Sequence, residues 1–192
     1  MPRFSKEHSE ATRARVLDAA RSAFAAEGYA GVGLERIAAA AGATRGAVYH
    51  HFTDKRALFV EVLGLTATDV ADRIRTDVVD IEDPRESLER GCRSFFEAAL
   101  DPACRQILLV DAPVVLGWNE WLGHDSAHSG RLLDDVINRL HADGRLRDVD
   151  PTAVSILLSG AMNEAALWVA TAGGDLDAAY AVLLRFIDSV VS

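Results

Sequence analysis

The sequence predicts an all-α fold, and two observations support this prediction. Alanine- and leucine-rich windows repeat apolar residues at intervals of three and four, which is the spacing of amphipathic helices. Long alternations of β-branched residues, which would indicate strands, do not occur. The chain has 192 residues, of which 49% are hydrophobic, so it can bury a sizeable core. We expect about nine helices, arranged as a small N-terminal domain and a larger C-terminal one.

The first three predicted helices are separated by glycines. The first covers about 9–27 and ends at Gly28, and the second covers about 34–41 and stops at Gly42. The third begins at Thr44, a residue type that favours the N-cap position, and runs to about residue 51. All three belong to the predicted N-terminal domain.

The remaining helices are longer. A fourth helix, capped by Thr53 or Asp54, reaches about residue 79 and is followed by the acidic turn 80–84. Further helices are predicted at about 84–100, from about 132 to near Gly144, at 151–172 and at 176–191. The stretch 104–130 contains Pro113 and Gly117, and we predict that it is less regular.

The charge of the chain is unevenly distributed. Residues 1–56 carry nine Lys or Arg and six acidic residues, a net charge of +3. The rest of the chain carries eleven basic and twenty-three acidic residues, a net charge of −12. A basic N-terminal part on an acidic body indicates that only the N-terminal part meets a polyanion.

The segment 34–51 has the spacing of a helix-turn-helix, in which two short helices are joined by a turn that contains glycine. Ala38 is small where the helices cross, Gly42 suits a turn with positive φ, and Val48 points back into the apolar seam. The side chains that then face outward are Thr44, Arg45, Gly46, Tyr49 and His50. A hydroxyl, a guanidinium and a glycine in the first turn of such a helix can approach phosphates and base edges in a major groove.

The segment 33–59, GLERIAAAAGATRGAVYHHFTDKRALF, resembles the DNA-binding domain of the TetR family of transcriptional repressors. The resemblance extends from residue 11 to about residue 60. It implies that the five outward residues contact DNA and that Lys55 does so from the start of the fourth helix. Gly33 departs from the family, which often has a Thr or Ser here that caps the second helix and touches a phosphate. The resemblance further implies a DNA-binding domain at 1–56, with a flexible arm at 1–8, and an effector-binding and dimerisation domain at 57–192.

The last two predicted helices are apolar almost all round. Residues 151–174 carry a single charge, Glu164. A transmembrane span is the alternative, but Ser155, Asn163 and Glu164 make insertion costly. We therefore predict that one face packs within the chain and the other on a second copy, as a four-helix interface. The interface residues that we predict are Leu157, Gly160, Ala161, Leu183 and Ile187.

The C-terminal part contains all three tryptophans of the chain. Its helix breaks fall where helices five to seven would enclose a cavity in a TetR-like body. Apolar walls with a few polar groups are typical of small-molecule sites. The ligand-binding residues that we predict are Phe96, Trp118, Trp121, Asn163, Glu164 and Trp168. The acidic body favours a neutral or cationic effector that is largely apolar.

Catalytic and metal sites are not indicated. No nucleophile–base or metal–base arrangement occurs, so we predict no catalytic residue, no cofactor and no metal. His124 and His128 are spaced as a helical metal pair, with Glu120 or Asp125 as further ligands, but neighbouring glycines disfavour the helix that such a pair requires. The N-terminus lacks the apolar core of a signal peptide, which predicts a cytoplasmic protein.

Taken together, the sequence predicts a homodimeric transcriptional regulator. We expect a repressor that binds a near-palindromic operator on double-stranded DNA and is released by a small molecule. An activator or an effector-independent regulator of the same fold is the alternative within this class. A helical enzyme and a protein–protein adaptor without DNA binding are the alternatives from other classes.

Overall fold

The computed structural model describes the backbone of residues 2–192 and the side chains of residues 7–124 and 127–192. In this described part the architecture is helical, apart from one antiparallel bridge between Leu146 and Val191. The α-helices are α1 (Pro2–Gly31), α2 (Leu34–Ala40), α3 (Arg45–His51), α4 (Lys55–Val78), α5 (Pro84–Ala99), α6 (Pro102–Cys104), α7 (Ala112–Leu116), α8 (Trp118–Ala127), α9 (Ser129–Ala142), α10 (Pro151–Ala172) and α11 (Leu176–Val190). A π-helical segment, Arg105–Asp111, connects α6 to α7.

The N-terminal helices follow the prediction closely, except at the start of α1. The arm predicted for 1–8 lies largely outside the residues whose side chains are described, and from Pro2 onward its backbone already belongs to α1. Gly28 has φ 72° and interrupts the helical path, as the sequence indicates, although helical backbone resumes up to Gly31. Helix α4 begins at Lys55, with the side chain of Asp54 accepting a hydrogen bond from the backbone N–H of Ala57.

The prediction of a less regular stretch at 104–130 is confirmed in part, because the stretch contains a π-helical segment, a five-residue helix and a break at Gly117. Its proline, Pro113, however, starts a helix rather than breaking one. Pro102 lies at the first position of α6, where no N–H is needed for helical hydrogen bonding. Pro113 similarly lies in the first turn of α7. Gly117, with φ 81°, makes the turn between α7 and α8.

Helix α4 joins the two parts of the molecule. Its first turns bury Leu58 and Phe59 beside α1, where Phe59 meets Phe24 edge to face with ring centroids 5.3 Å apart. Its later turns bury residues such as Val70 and Ile74 against α5 and α9. The hydrophobic core is therefore continuous from the N-terminal part into the C-terminal bundle. We call α1–α3 with the first turn of α4 the head, and the rest of the chain the body.

Candidate nucleic-acid interface

The turn between α2 and α3 is a Schellman motif. Gly42 has φ 60°, its N–H donates to the carbonyl of Ala39 at 3.1 Å, and the N–H of Ala43 donates to Ala38 at 2.9 Å. A residue with a side chain would be strained at this φ, which explains the glycine. The motif ends α2 sharply and lets α3 cross it.

Helix α3 presents the five side chains that the sequence selects for its outer face. Thr44 is the N-cap, and its hydroxyl oxygen accepts a hydrogen bond from the N–H of Ala47 at 3.1 Å. Val48, on the opposite side, is completely buried in the head core. Thr44, Arg45, Gly46, Tyr49 and His50 are all exposed. Their contact with DNA stays a prediction, but the helix places them together on one accessible surface.

Arg45 has two partners on this surface. One nitrogen of its guanidinium lies 3.2 Å from a carboxylate oxygen of Glu35 on α2, and its guanidinium carbon lies 5.4 Å from the ring centroid of Tyr49. A hydrogen bond with Tyr49 and then the charge of Glu35 raise the pKa of Arg45. Sequence analysis missed Glu35. Its position in the first turn of α2, the helix that packs across α3, could have indicated that it lies close to α3.

Gly33 is the N-cap of α2 and gives it no side-chain hydrogen bond. Helix α2 therefore lacks the side-chain cap that the family often has at this position. A Cβ atom at this position would lie 3.4 Å from an oxygen of Glu35, which is an ordinary van der Waals distance.

Lys55 does not point freely outward. Its ammonium group donates to the carbonyl oxygens of Tyr29 at 2.8 Å and Val32 at 3.0 Å, and it lies 4.2 Å from the Tyr29 ring centroid. It thereby ties the start of α4 to the end of α1. Two of its three N–H donors serve this purpose, and the predicted phosphate contact would depend on the third.

Polar contacts also join the head to the body. The backbone N–H of Tyr29 donates to a carboxylate oxygen of Asp111 at 2.7 Å, and Arg56 pairs with Glu120 on α8 at 2.7 Å. The backbone approaches closely here, since a Cβ atom at Gly28 would lie 3.2 Å from the amide nitrogen of Gln106. We call Tyr29, Arg56, Asp111 and Glu120 the head–body contact.

The predicted dimer interface is partly wrong. Leu157, Gly160 and Ala161 are exposed, as an interface between copies requires. Leu183 and Ile187, however, are 5% and 0% exposed, so both belong to the core of their own chain. They are spaced i, i+4 and form the inward stripe of α11, and the outward stripe begins one residue earlier.

An exposed apolar surface does exist on α10 and α11. Its large side chains are Ile156, Leu157, Trp168, Val182 and Phe186, which are between 47% and 66% exposed. Helix α10 is also long and apolar enough to cross a membrane by length and composition. We call this surface the α10–α11 face.

The six predicted ligand-binding residues do not line one cavity. Phe96 is buried and borders a groove on the α10–α11 face together with Trp168. Trp118 and Glu164 are exposed. Only Trp121 and Asn163 share an internal cavity, of about 30 Å³. The prediction of a common site fails because neighbouring residues of a helix point to different sides.

A larger cavity of about 190 Å³ lies between α4, α5, α9 and α10. Asn163, Phe95 and Ser129 border both this cavity and the smaller one. Its walls are largely apolar and include Ile74, Leu88, Cys92, Phe95, Val136 and Met162. Burial raises the pKa of the Cys92 thiol to about 12, so this wall residue is uncharged at neutral pH. The guanidinium of Arg139 donates to the carbonyl of Glu82 at 2.9 Å.

The smaller cavity adjoins the π-helical segment. Leu108 and Leu109 of that segment line it, as does Trp121 of α8. The indole N–H of Trp121 donates to the carbonyl of Leu108 at 2.9 Å, which fixes α8 to the segment. Both elements also carry the acidic residues of the head–body contact.

The histidine pair forms no metal site within the described residues. The imidazole of His128 lies 2.8 Å from the carbonyl oxygen of His124, which occupies one ring nitrogen. No group of three or more His, Cys, Asp or Glu side chains that could hold a metal occurs among the side chains described. Asp125, the other ligand considered, lies outside them.

Comparison with known proteins gives a consistent result for both parts of the chain. Residues 16–62 match the family described as bacterial regulatory proteins, tetR family, and residues 85–191 match the tetracyclin repressor-like C-terminal domain. The HTH-type transcriptional repressor AcnR of Corynebacterium diphtheriae is 30% identical, over 100% of this chain and 98% of that protein. A crystal structure of a TetR-family transcriptional regulator from Pectobacterium atrosepticum is 31% identical, has a TM-score of 0.79 and covers 96% of each chain.

Replacement of Lys55 by alanine is expected to destabilise the protein as well as any DNA complex. The carbonyls of Tyr29 and Val32 would lose a charged donor, and hydrogen bonds to charged groups are worth about 1.5–3 kcal/mol. The free energy of unfolding, measured by urea denaturation, should fall by about that amount. Arg56→Ala removes an exposed cation one residue later and is the control, with an expected change below about 1 kcal/mol. Equal stabilities of the two variants would contradict the anchoring role of Lys55.

Proposed function

The chain belongs to the TetR family and is a DNA-binding transcriptional regulator, and we propose that it represses transcription as a dimer on a near-palindromic operator until a small apolar molecule binds the body. The observation that carries this proposal is the exposed polar surface of α3. The orientation of this surface is fixed by Val48 on the opposite side of the helix, which is fully buried. Its repressor role is supported by relatives that are named as repressors.

The proposed DNA contacts start from the N-terminus of α3. Thr44 and the first-turn N–H groups form an anion-binding helix end, and Gly46 allows the backbone to approach a phosphate. Arg45 and Tyr49 extend beyond them and are proposed to contact base edges. His50 is proposed to contact the sugar–phosphate backbone. The third donor of Lys55 would add a phosphate contact beside this helix.

Dimerisation is proposed to use the α10–α11 face. Five large apolar side chains are exposed on this face, and three of them, Trp168, Val182 and Phe186, line one groove. Exposed apolar surfaces of this kind usually mark interaction sites. Two helices from each copy would make a four-helix interface about a two-fold axis. Gly160 has nothing within 4 Å of a Cβ position, so a second backbone can come close there. We retain Leu157, Gly160 and Ala161 as interface residues and replace Leu183 and Ile187 by Val182 and Phe186.

The effector is proposed to bind in the larger cavity of the body. Its walls are largely apolar, with an uncharged thiol at Cys92 and two charged residues, Asp135 and Arg139, so a largely apolar molecule with few polar groups would fit there. Asn163 offers an amide where the two cavities meet, which suits one hydrogen-bonding group on the ligand. The effector site therefore lies deeper in the body than the surface residues Trp118 and Trp168.

Coupling to DNA would pass through the head–body contact. A ligand that extends into the smaller cavity meets Leu108, Leu109 and Trp121. Movement of these residues displaces Asp111 and Glu120, which hold the head through Tyr29 and Arg56. The spacing of the two recognition helices in the dimer would then change, and operator affinity with it.

The proposal implies a cytoplasmic protein, since the operator is there. A membrane location of α10 would remove the dimer face, and the match of residues 85–191 to a regulatory domain supports the dimer instead. Activation remains the alternative outcome at the promoter, because the same DNA contacts serve both.

Alanine substitution at Arg45 or Tyr49 tests the DNA interface. Each variant should lose about 1–3 kcal/mol of binding free energy on the selected operator and much less on random DNA, because base contacts carry the discrimination. The measurement is fluorescence anisotropy with both duplexes at several salt concentrations. Arg73→Ala, an exposed arginine on α4 in the body, is the charge-matched control and should bind like the wild type. An equal loss on operator and random DNA would disprove base reading.

Val182→Glu tests the dimer interface. The carboxylate would be buried without a partner at the proposed interface, so the dimer should dissociate at micromolar concentration in sedimentation velocity. Val114→Glu makes the same change at a valine that is 84% exposed on α7 and should leave the dimer intact. Circular dichroism checks that both variants stay folded. A Val182→Glu protein that sediments as the wild-type dimer would move the interface elsewhere.

Val136→Trp tests the effector cavity. An indole at this position would fill much of the cavity, so the neutral fluorescent probe N-phenyl-1-naphthylamine should bind at least about tenfold more weakly than to the wild type. Val114→Trp is the matched surface control and should bind the probe normally. Both proteins are checked by thermal unfolding. Unchanged probe binding by Val136→Trp would exclude this cavity as the apolar site.

A further inference from the structure

The outer surface of the helix-turn-helix contains an acidic side chain among its basic and polar ones. Glu35 lies in the first turn of α2, and its carboxylate contacts Arg45 across the two helices at 3.2 Å. The side chains of both residues are more than 60% exposed. An acidic side chain is unexpected at this position, because its carboxylate would be repelled by the DNA phosphates near which Arg45 is proposed to bind.

Glu35 and Tyr49 hold the guanidinium of Arg45 from two sides. The carboxylate pairs with one end of the planar fork, while the Tyr49 ring centroid lies 5.4 Å from its central carbon. An arginine side chain otherwise samples many rotamers, and their loss on binding costs free energy. A guanidinium that is already held in the free protein loses less conformational entropy when DNA binds. Its remaining N–H donors stay free for a bidentate contact.

The local backbone accommodates this arrangement. Gly33 removes the side-chain cap of α2, and the carboxylate of Glu35 lies only 3.4 Å from the position that a Cβ atom there would take. A negative charge in the first turn is also favoured by the helix dipole of α2. The N-terminal end of α2 thus accommodates the acidic partner of Arg45.

We propose that Glu35 is a specificity-determining positioning residue, which directs Arg45 to a base edge and disfavours its use as a phosphate contact. The inference rests on the proposed DNA-binding function. Its carboxylate repels phosphates and so weakens binding to DNA of any sequence. In exchange, it fixes the arginine that distinguishes one base pair from another.

The test compares the full-length wild type with Glu35→Gln in selection from a random duplex library and in salt titrations on random DNA. Glu35→Gln should bind random DNA about two- to fivefold more tightly, the range expected for one exposed charge pair. Its salt slope should steepen by about one unit, because Arg45 becomes free to neutralise a phosphate. The selected sites should lose base preference at the same half-site position that Arg45→Ala loses.

Glu61→Gln is the matched control. It removes the same charge from another Arg–Glu pair, which joins Glu61 in the second turn of α4 to Arg13 of α1. It should keep the wild-type base preferences and salt slope.

Three results would overturn the inference. Glu35→Gln with wild-type base preferences would leave Glu35 without a role in specificity. Loss of preference at a position other than that of Arg45 would make Glu35 a base reader itself. If the wild type enriches no sequence, the proposed DNA-binding function falls, and this inference falls with it.

Discussion

The passage of α4 through both cores is the constraint on which the rest of the structure depends. The helix has 24 residues and contributes Leu58 and Phe59 to the head and Val70 and Ile74 to the body. Because its two ends are buried in different surroundings, the head cannot turn on the body as a free module. Lys55 strengthens this constraint at the start of the helix by binding the carbonyls at the end of α1. A change in the body can therefore reach the head along α4 and through the contacts of α1 with the π-helical segment and α6.

The four residues of the head–body contact interact through polar groups, whereas the contact along α4 is apolar. Asp111 and Glu120 meet the head through one backbone N–H and one guanidinium. Such contacts can be exchanged for water at low cost, while the burial of Phe59 cannot. The walls of the smaller cavity belong to the π-helical segment and α8, the elements that carry Asp111 and Glu120.

Local features of the fold could be predicted from the sequence because they depend on a few adjacent residues. The Thr44 cap and the left-handed Gly42 are of this kind, and so is the exposed surface of α3, because Val48 fixes which side faces inward. The phase of α11 was beyond sequence reasoning, because Val182, Leu183, Phe186 and Ile187 are all apolar and periodicity alone does not distinguish the inner pair.

Long-range placement was also not available from the sequence. The neighbouring residues in the sequence do not indicate that Phe95 faces the larger cavity while Phe96 faces α11. They also do not indicate that the ammonium group of Lys55 donates to a carbonyl of α1. Glu35 was overlooked because an acid in a predicted DNA-binding surface looks like an ordinary solvated residue. Only the distance to Arg45 gives it a meaning.

The hydrogen bond from Trp121 to the carbonyl of Leu108 has a spectroscopic consequence. Of the three indoles, Trp121 alone is buried, at 7% exposed, and Trp118 and Trp168 face solvent. A buried indole emits at shorter wavelength than hydrated ones and is shielded from aqueous quenchers such as iodide. In a monomer, the blue, unquenched part of the emission therefore originates at the junction of the π-helical segment with α8, whereas the proposed dimer would cover Trp168 as well. The chain carries an intrinsic optical reporter at the place where a signal from the cavity would leave for the head.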